Sequence, residues 1–212
     1  MTEVKRRYDA SGRREQARAR RLAVVLAARE LFERDGFRPT TIAAVAARAG
    51  VSPESIYKGF GTKAALAKAV FDLVIAGDDE PLPVAARPEM QAMRDEPDVR
   101  RKIAMYAGGL AQRQARSAGV QILIRDGRHV DDSLAPVWAT LTQEGLAGMT
   151  MLGRHLLGTG QLRDGIGLDE ARDMLWNYLA IDHYERLVLT QRWPLDRYSR
   201  WLAHAITSAL CP

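Results

Sequence analysis

Apolar residues recur at helical spacing along most of the chain. The first helix is predicted from about Arg13 to Gly36, and one face of it carries apolar side chains at i, i+4, i+7 and i+8. These residues are Val24, Ala28, Leu31 and Phe32. No segment beyond residue 97 shows the alternation of a half-buried strand, and no internal repeat is seen. The pattern predicts an all-α protein.

Two short helices are predicted next, joined by a tight turn. The hydroxyl of Thr40 or Thr41 can cap the N–H groups that begin the second helix, which ends at Gly50. Ser52 is the predicted N-cap of the third helix, and Pro53 stands at its first position, where a missing N–H costs nothing. The third helix is expected to end near residues 59–61.

A fourth helix is predicted from Thr62, and an irregular link follows it. Residues 77–97 combine a glycine, an acidic triplet and four prolines, a composition that breaks helices. We expect the boundary between an N-terminal head and a C-terminal body there, with the fourth helix belonging to both. Four helices are predicted beyond it: about 98–125 with an interruption at 117–119, 133–158, 168–191 and 195–210.

The predicted helix 168–191 is apolar over more than half of its circumference, so it needs burial on two sides. In a small body the second side is expected to be another subunit. We therefore predict a homodimer in which the last two helices pair with their copies across a two-fold axis. A central place in a monomeric bundle is the alternative.

Charge is distributed unevenly. Residues 1–63 hold 14 Lys and Arg against 7 Asp and Glu, whereas the remainder holds 17 against 19. A basic head is typical of a protein that binds a polyanion. A solvated basic tail without any partner is the alternative explanation of the same charge. Cys211 stands alone, so no intrachain disulfide is expected. Without a signal pattern or a long uncharged apolar run, the sequence predicts a cytoplasmic protein that makes no membrane contact.

Catalytic and metal-binding patterns are not found. The four histidines are scattered singly, and none has a partner at metal-ligand spacing. No phosphate-binding loop, nucleophile elbow or dinucleotide fingerprint is present. We therefore predict no enzyme, no metal and no cofactor.

The second and third helices have the residue sizes that a helix-turn-helix needs. Ala46 is small where the helices cross, and Gly50 meets the need of the turn for a positive φ. Val45, Val51 and Ile56 fill the small core between the helices. Such a unit places its second helix in the major groove of DNA.

Over about 45 residues this segment resembles the head of the TetR (tetracycline-repressor) family. The motifs are Ala27-Ala28-x-x-Leu31-Phe32-x-x-x-Gly36-Phe37-x-x-Thr40-Thr41-Ile42, Val45-Ala46-x-x-Ala49-Gly50-Val51-Ser52 and Ile56-Tyr57-x-x-Phe60-x-x-Lys63-x-x-Leu66. Arg192-Trp193-Pro194-x-x-Arg197-Tyr198-x-x-Trp201-Leu202 is similar to the family more loosely. Residues 1–12 are basic and contain few apolar residues, which predicts a flexible arm. The resemblance implies a helix-turn-helix DNA-binding domain at 13–62 and a helical ligand-sensing and dimerisation domain at 63–212.

The resemblance also implies which residues touch DNA. Tyr57 and Lys63 would hold phosphates with help from Thr40 or Thr41, and the exposed face of the third helix would read bases. Glu54 has two open interpretations, a contact to cytosine N4 or charge complementarity at the helix N-terminus. The family commonly has His or Tyr where Gly59 stands, so one contact is expected to be missing. The predicted set is Thr40, Thr41, Ser52, Pro53, Glu54, Ser55, Tyr57, Lys58 and Lys63.

For the body, the resemblance implies a pocket for an unknown small-molecule effector, coupled to the head through the fourth helix. The candidate wall residues are Tyr106, Leu110, Trp138, Leu141, Trp176 and His183. Core packing is the ordinary role of such residues in a helical bundle and is the alternative for each of them. The expected function is a ligand-responsive repressor that binds a palindromic double-stranded DNA operator as a homodimer. The alternatives are a DNA-binding dimer without an effector, and a helix-turn-helix fused to an enzymatic or protein-binding helical body.

Overall fold

The computed structural model describes residues 10–77 and 86–212, and within these ranges the chain is helical with no strand. The helices are α1 (Ala10–Asp35), α2 (Ile42–Ala49), α3 (Pro53–Phe60), α4 (Lys63–Ala76), α5 (Pro88–Asp95), α6 (Val99–Gly127), α7 (Ala135–Leu157), α8 (Leu168–Leu179), α9 (Ile181–Tyr184) and α10 (Leu195–Leu210). A 3-10 turn, Asp132–Leu134, precedes α7, and a π-helical turn, Glu185–Thr190, continues α9. The prediction of an all-α fold is confirmed.

The chain divides into two compact units, Met1–Val70 and Phe71–Pro212. The division falls inside α4, so one continuous helix belongs to both units. In the N-terminal unit, which we call the head, α1 to α3 and the start of α4 enclose a small apolar core. Its largest fully buried side chains are Phe32, Ile56 and Leu66.

The C-terminal unit, which we call the body, is built around α6 and α10, which pack against each other along their length. The residues of α10 that recur at helical spacing are fully buried in this core: Tyr198, Leu202, Ile206 and Leu210. Helices α7 and α8 pack together beside them. The apolar stripe predicted on the last helix is therefore used within the protomer.

Two segments predicted to be irregular are partly helical. Residues 10–12, assigned to a flexible arm, belong to α1, and residues 1–9 lie outside the described part of the chain. In the predicted link, Pro88 begins α5. Proline is tolerated in the first turn of a helix because its N–H has no intrahelical acceptor there. The remainder of the acidic and proline-rich stretch, residues 78–85, also lies outside the described residues.

The predicted interruption of the body's first helix is wrong. α6 runs unbroken from Val99 to Gly127. Glycine inside a helix costs roughly 1 kcal/mol relative to alanine. Ser117 and Ala118 are buried on the packed face next to Gly119, and this packing offsets the cost.

The continuous helix predicted for 168–191 is also wrong, because the chain turns out of helical geometry at Ala180, where φ is −56° and ψ is 129°. The buried side chain of Gln114 explains the break. Its Nε2 donates to the carbonyl of Leu179 at 3.1 Å and to that of Ala180 at 3.4 Å, and its Oε1 accepts from Tyr198 Oη at 2.9 Å. The carbonyls that lose their helical hydrogen bonds at the break therefore accept hydrogen bonds from Gln114 inside the body.

Lys102 joins three helices of the body although its side chain is almost fully buried. Its ammonium donates to the carbonyls of Met93 and Arg94 at the end of α5, and lies 3.2 Å from Nε2 of His155 on α7. Burial, with the charge of Lys102, lowers the pKa of His155, which favours the neutral imidazole that can accept this hydrogen bond. The interaction fixes α5 against α6 and α7.

No helix in the described ranges is long and apolar enough to cross a lipid bilayer. Across the same residues, no three His, Cys, Asp or Glu side chains come together as a group able to hold a metal ion.

Candidate nucleic-acid interface and effector residues

The turn between α2 and α3 has the geometry that its sequence predicts. Thr41 caps α2 by accepting a hydrogen bond from the Ala44 N–H at 3.1 Å. The helix ends at Gly50, whose φ of +68° confirms the predicted left-handed conformation. Val45 and Ile56 are buried between the two helices, as expected. α3 is therefore held on a rigid support.

α3 buries Ile56 and exposes most of its remaining side chains. Ser52 caps the helix by accepting from the Ser55 N–H at 3.3 Å, with Pro53 at the first position as predicted. Tyr57 is 55% exposed, although a large aromatic side chain usually buries most of its surface. The residues exposed on the outer surface of this helix are Glu54, Ser55, Tyr57 and Lys58.

Glu54 is held as an anion at the start of α3. Hydrogen bonds from its own N–H and from the side chain of Ser52 lower the pKa of its carboxyl group. The negative charge opposes a phosphate at this helix terminus. It is compatible with both interpretations drawn from the sequence, acceptance from cytosine N4 and complementarity to the helix dipole.

Thr40 and Lys63 are placed differently from the exposed phosphate ligands that the resemblance implies. Thr40 is buried, and its hydroxyl donates to the carbonyls of Leu31 and Gly36 at 3.2 and 2.8 Å. The Lys63 ammonium donates to the carbonyls of Phe37 and Thr40 at 3.0 and 3.1 Å, and more distantly to that of residue 38. Both side chains hold the α1–α2 loop, and a phosphate contact by either stays a prediction.

Arg21 is a positioning residue that the sequence analysis missed. From α1 its guanidinium donates to the Gly59 carbonyl at 3.1 Å and lies 4.2 Å from the ring centroid of Phe60. These contacts fix the last turn of α3 to α1. No local pattern signals the pairing, because the partners are 38 residues apart in sequence.

Substitution of Gly59 by alanine is expected to raise the free energy of unfolding of the head by up to about 1 kcal/mol, because glycine has a low helix propensity. A Cβ at this position meets no atom within 4 Å, and φ is not positive. Chemical denaturation followed by circular dichroism measures the change.

Gly50→Ala is the matched control and is expected to destabilise the head, because a side chain is strained at φ +68° although space is also open there. Equal effects of the two substitutions would contradict this account of the two glycines.

The predicted effector residues do not form one cluster. Tyr106 and Leu110 lie together in the body core, where Tyr106 Oη donates to Met149 Sδ at 3.2 Å. Trp138 on α7 stacks under Arg128, with the guanidinium 5.1 Å from the ring centroid. The other three positions are as follows: Leu141 is buried elsewhere on α7, Trp176 on α8 is 41% exposed, and His183 lies beside Tyr178 and Trp201. The structure therefore brings two of the six candidates together.

A rigid helix-turn-helix in the head and an all-helical body define the class of this protein, a helix-turn-helix DNA-binding regulator. Residues 24–70 match the family described as bacterial regulatory proteins, tetR family. The matched segment runs from α1 into α4 and contains the whole helix-turn-helix. The predicted resemblance to TetR-family transcriptional regulators is thus confirmed.

Solved structures share the fold over nearly the whole chain. A putative TetR-family transcriptional regulator from Rhodococcus sp. is 16% identical with a TM-score of 0.71, covering 91% of this chain and 98% of its own. FadR from Bacillus subtilis, solved with stearoyl-CoA, is 16% identical with a TM-score of 0.70, covering 89% and 98%. A putative regulator from Saccharomonospora viridis, solved with choline, is 16% identical with a TM-score of 0.64, covering 93% and 99%.

At this identity the likeness shows the fold of a transcriptional regulator and nothing finer. A search of curated proteins by sequence found no match.

Proposed function

We propose that the protein is a ligand-responsive repressor that binds a palindromic DNA operator as a homodimer, without catalytic activity. The observation that carries the proposal is the outer surface of α3, which presents Tyr57 and Lys58 to solvent while Ile56 anchors the helix from behind. A capped, rigidly supported helix with a polar outer face fits the major groove. Thr41, Ser52, Pro53, Glu54 and Ser55 complete the proposed DNA-binding surface.

The dimer is proposed to form through the region from α8 to α10. Met174 and Trp176 on α8 and Leu189 on the π-helical turn are large apolar side chains exposed in the protomer. Exposed apolar surface of this kind is typical of a protein–protein interface. A two-fold dimer presents two copies of α3, and its half-sites would lie about 34 Å, or a multiple of that, apart.

The ligand response is proposed to pass through α4, which runs from the head into the body. Arg116 on α6 donates from Nε to the carbonyl of Val74 at 3.2 Å, in the last turn of α4. Suppose that a ligand binds one arrangement of α6 and α4 more tightly than another. It then shifts the equilibrium between the two arrangements, and with it the position of the head, by an amount set by the difference between its two affinities. Relatives solved with stearoyl-CoA and with choline support a ligand-binding body.

The test begins with selection of bound sequences from random double-stranded DNA, in which an inverted repeat is expected. Tyr57→Phe is then expected to weaken binding to operator and non-operator DNA by a similar factor, roughly fivefold, because one phosphate hydrogen bond is lost. The slope of log affinity against log salt should not change, because a neutral hydroxyl releases no counterion. Salt-titrated fluorescence anisotropy measures both quantities.

Lys58→Gln removes a charged residue from the same helix, in contrast to Tyr57→Phe, which removes a neutral hydroxyl. It is expected to reduce the magnitude of the slope of log affinity against log salt by about 1. Selection of no symmetric site would contradict the dimeric operator. Unchanged affinity and slope in both variants would remove α3 as the DNA-binding helix.

A further inference from the structure

Arg113 places a positive charge at the edge of the body core, where the described residues supply no carboxylate within ion-pair distance. It lies partly buried in the middle of α6. Within residues 10–77 and 86–212 it has neither a hydrogen bond nor a carboxylate at ion-pair distance, and its guanidinium lies 5.9 Å from the ring centroid of Tyr106. None of its nitrogens is completely buried, so water or a ligand can reach the guanidinium.

Two other inward-facing cations of α6 have partners. Arg125, near the end of the same helix, has Asp126, Asp182 and Glu185 at 2.8, 3.2 and 2.7 Å. The buried ammonium of Lys102 donates to two carbonyls and to His155. Arg113 thus differs from these two residues in lacking an acceptor, although all three lie on α6.

The surroundings of Arg113 do not compensate its charge. Burial lowers the pKa of Arg113, and the neighbouring positive charge of Arg116 lowers it further; Tyr106 and the exposed carboxylate of Glu89 act in the opposite direction. A Cβ added to Gly109, one turn earlier, would lie 3.0 Å from Nη1, so the missing side chain at Gly109 leaves room for the guanidinium on the surface of α6. The protein therefore maintains an incompletely solvated cation beside its apolar core.

The core next to Arg113 is adaptable. Tyr106 packs in one cluster with Met93 and Met149, and Met90 lies partly buried against the same cluster. Methionine side chains are unbranched and flexible, so such a cluster can rearrange to accept an apolar group. The charge of Arg113 and the apolar cluster around Tyr106 thus lie next to each other, within two turns of α6.

We propose that Arg113 is the anion-binding group of an effector site in the body. The ligand class is an amphiphilic anion whose carboxylate or phosphate group binds the guanidinium while its apolar part packs beside Tyr106. Planar guanidinium groups bind both kinds of anion through paired hydrogen bonds. The proposal rests on the proposed function in that the body binds an effector, and it excludes a ligand that places a cation at this position.

The test uses three probes with the same ten-carbon chain and different head groups: decanoate, decyl phosphate and decyltrimethylammonium, each below its micelle concentration. Isothermal titration of the full-length protein without DNA measures their affinities. At least one of the two anions is expected to bind at least about tenfold more tightly than the ammonium probe. A charge-assisted hydrogen bond supports a difference of roughly tenfold to a hundredfold. The two anions distinguish a carboxylate from a phosphate source.

Arg113→Gln is expected to remove the preference for the anions and to leave the affinity of the ammonium probe unchanged or higher, because the repulsion between two cations is lost. Arg113→Met, which retains the alkyl packing over Tyr106, serves as a second variant with the same expectation. Arg101→Gln removes an exposed arginine from the same helix and is expected to bind all three probes like the wild type. Both Arg113 variants should unfold at or above the wild-type temperature, because they remove an unpaired, partly buried charge.

Failure of both anions to bind, or equal binding by wild type and Arg113→Gln, would overturn the site. Release of operator DNA distinguishes this from failure of the proposed function. If an anion binds through Arg113 without releasing DNA, the site stands and the ligand response does not. If no anion binds, and a cationic or neutral compound releases DNA from wild type and from Arg113→Gln alike, the response stands and the anion site does not.

Discussion

Substitution of Gln114 by leucine is expected to lower the free energy of unfolding of the body by about 3 kcal/mol or more. The leucine side chain is similar in volume but leaves three polar groups without their partner: the carbonyls of Leu179 and Ala180 and the hydroxyl of Tyr198. Each buried polar group that loses its hydrogen bond costs about 1–3 kcal/mol. Urea denaturation monitored by circular dichroism measures the loss.

Gln112→Leu is the matched control, since Gln112 is exposed on the same helix and its substitution is expected to change stability by less than about 0.5 kcal/mol. Tyr198→Phe is expected to lower the free energy of unfolding by an amount between those of the two glutamine variants, because the ring stays and one hydrogen bond is lost. The dimer should also weaken in Gln114→Leu, since the break at Ala180 positions the segment proposed to carry the interface. A Gln114→Leu protein as stable as Gln112→Leu would show that the break does not depend on Gln114.

The head could be predicted from sequence more closely than the body because its determinants are local. The caps at Thr41 and Ser52 act on N–H groups three residues away, and Gly50 has its effect within its own turn. Such short-range interactions leave a recognisable pattern of residues. The bounds predicted for α2 and α3 accordingly agree with the structure.

The break between α8 and α9 had no local signal. The apolar pattern of residues 168–191 is compatible with one helix, and the donor that favours the break comes from Gln114, 65 residues earlier than Leu179. Arg21 is a similar case in the head, because the spacing of apolar residues does not indicate that its side chain pairs with Gly59. Side chains that bind backbone carbonyls of distant elements can be assigned only once the fold is known.

The effector candidates show the same limit for the site. Size and apolar character selected Tyr106, Leu110 and Trp176 together, yet Trp176 is exposed on α8 whereas the other two are in the core. Arg113 was not selected, because an arginine on a long helix is ordinarily a solvated residue. Its importance follows from what surrounds it, which the spacing of residues does not reveal.

Lys63→Met is expected to destabilise the head by about 2–3 kcal/mol and to weaken DNA binding at every salt concentration. The ammonium donates to the carbonyls of Phe37 and Thr40, and it lies 4.3 Å from the centroid of the Phe37 ring. Hydrogen bonds from a charged donor contribute about 1.5–3 kcal/mol, and methionine retains most of the alkyl packing without donating. Urea denaturation of the head and hydrogen exchange of amides 37–41 measure the effect.

The salt dependence separates the structural role of Lys63 from the phosphate contact that the resemblance implies. If the ammonium serves only the α1–α2 loop, the slope of log affinity against log salt stays at the wild-type value while the affinity falls. A phosphate contact instead reduces the magnitude of the slope by about 1, as expected for Lys58→Gln. Because its donors already face backbone carbonyls, we expect the slope to stay unchanged. A reduced slope with unchanged stability would show that Lys63 leaves these carbonyls to bind DNA.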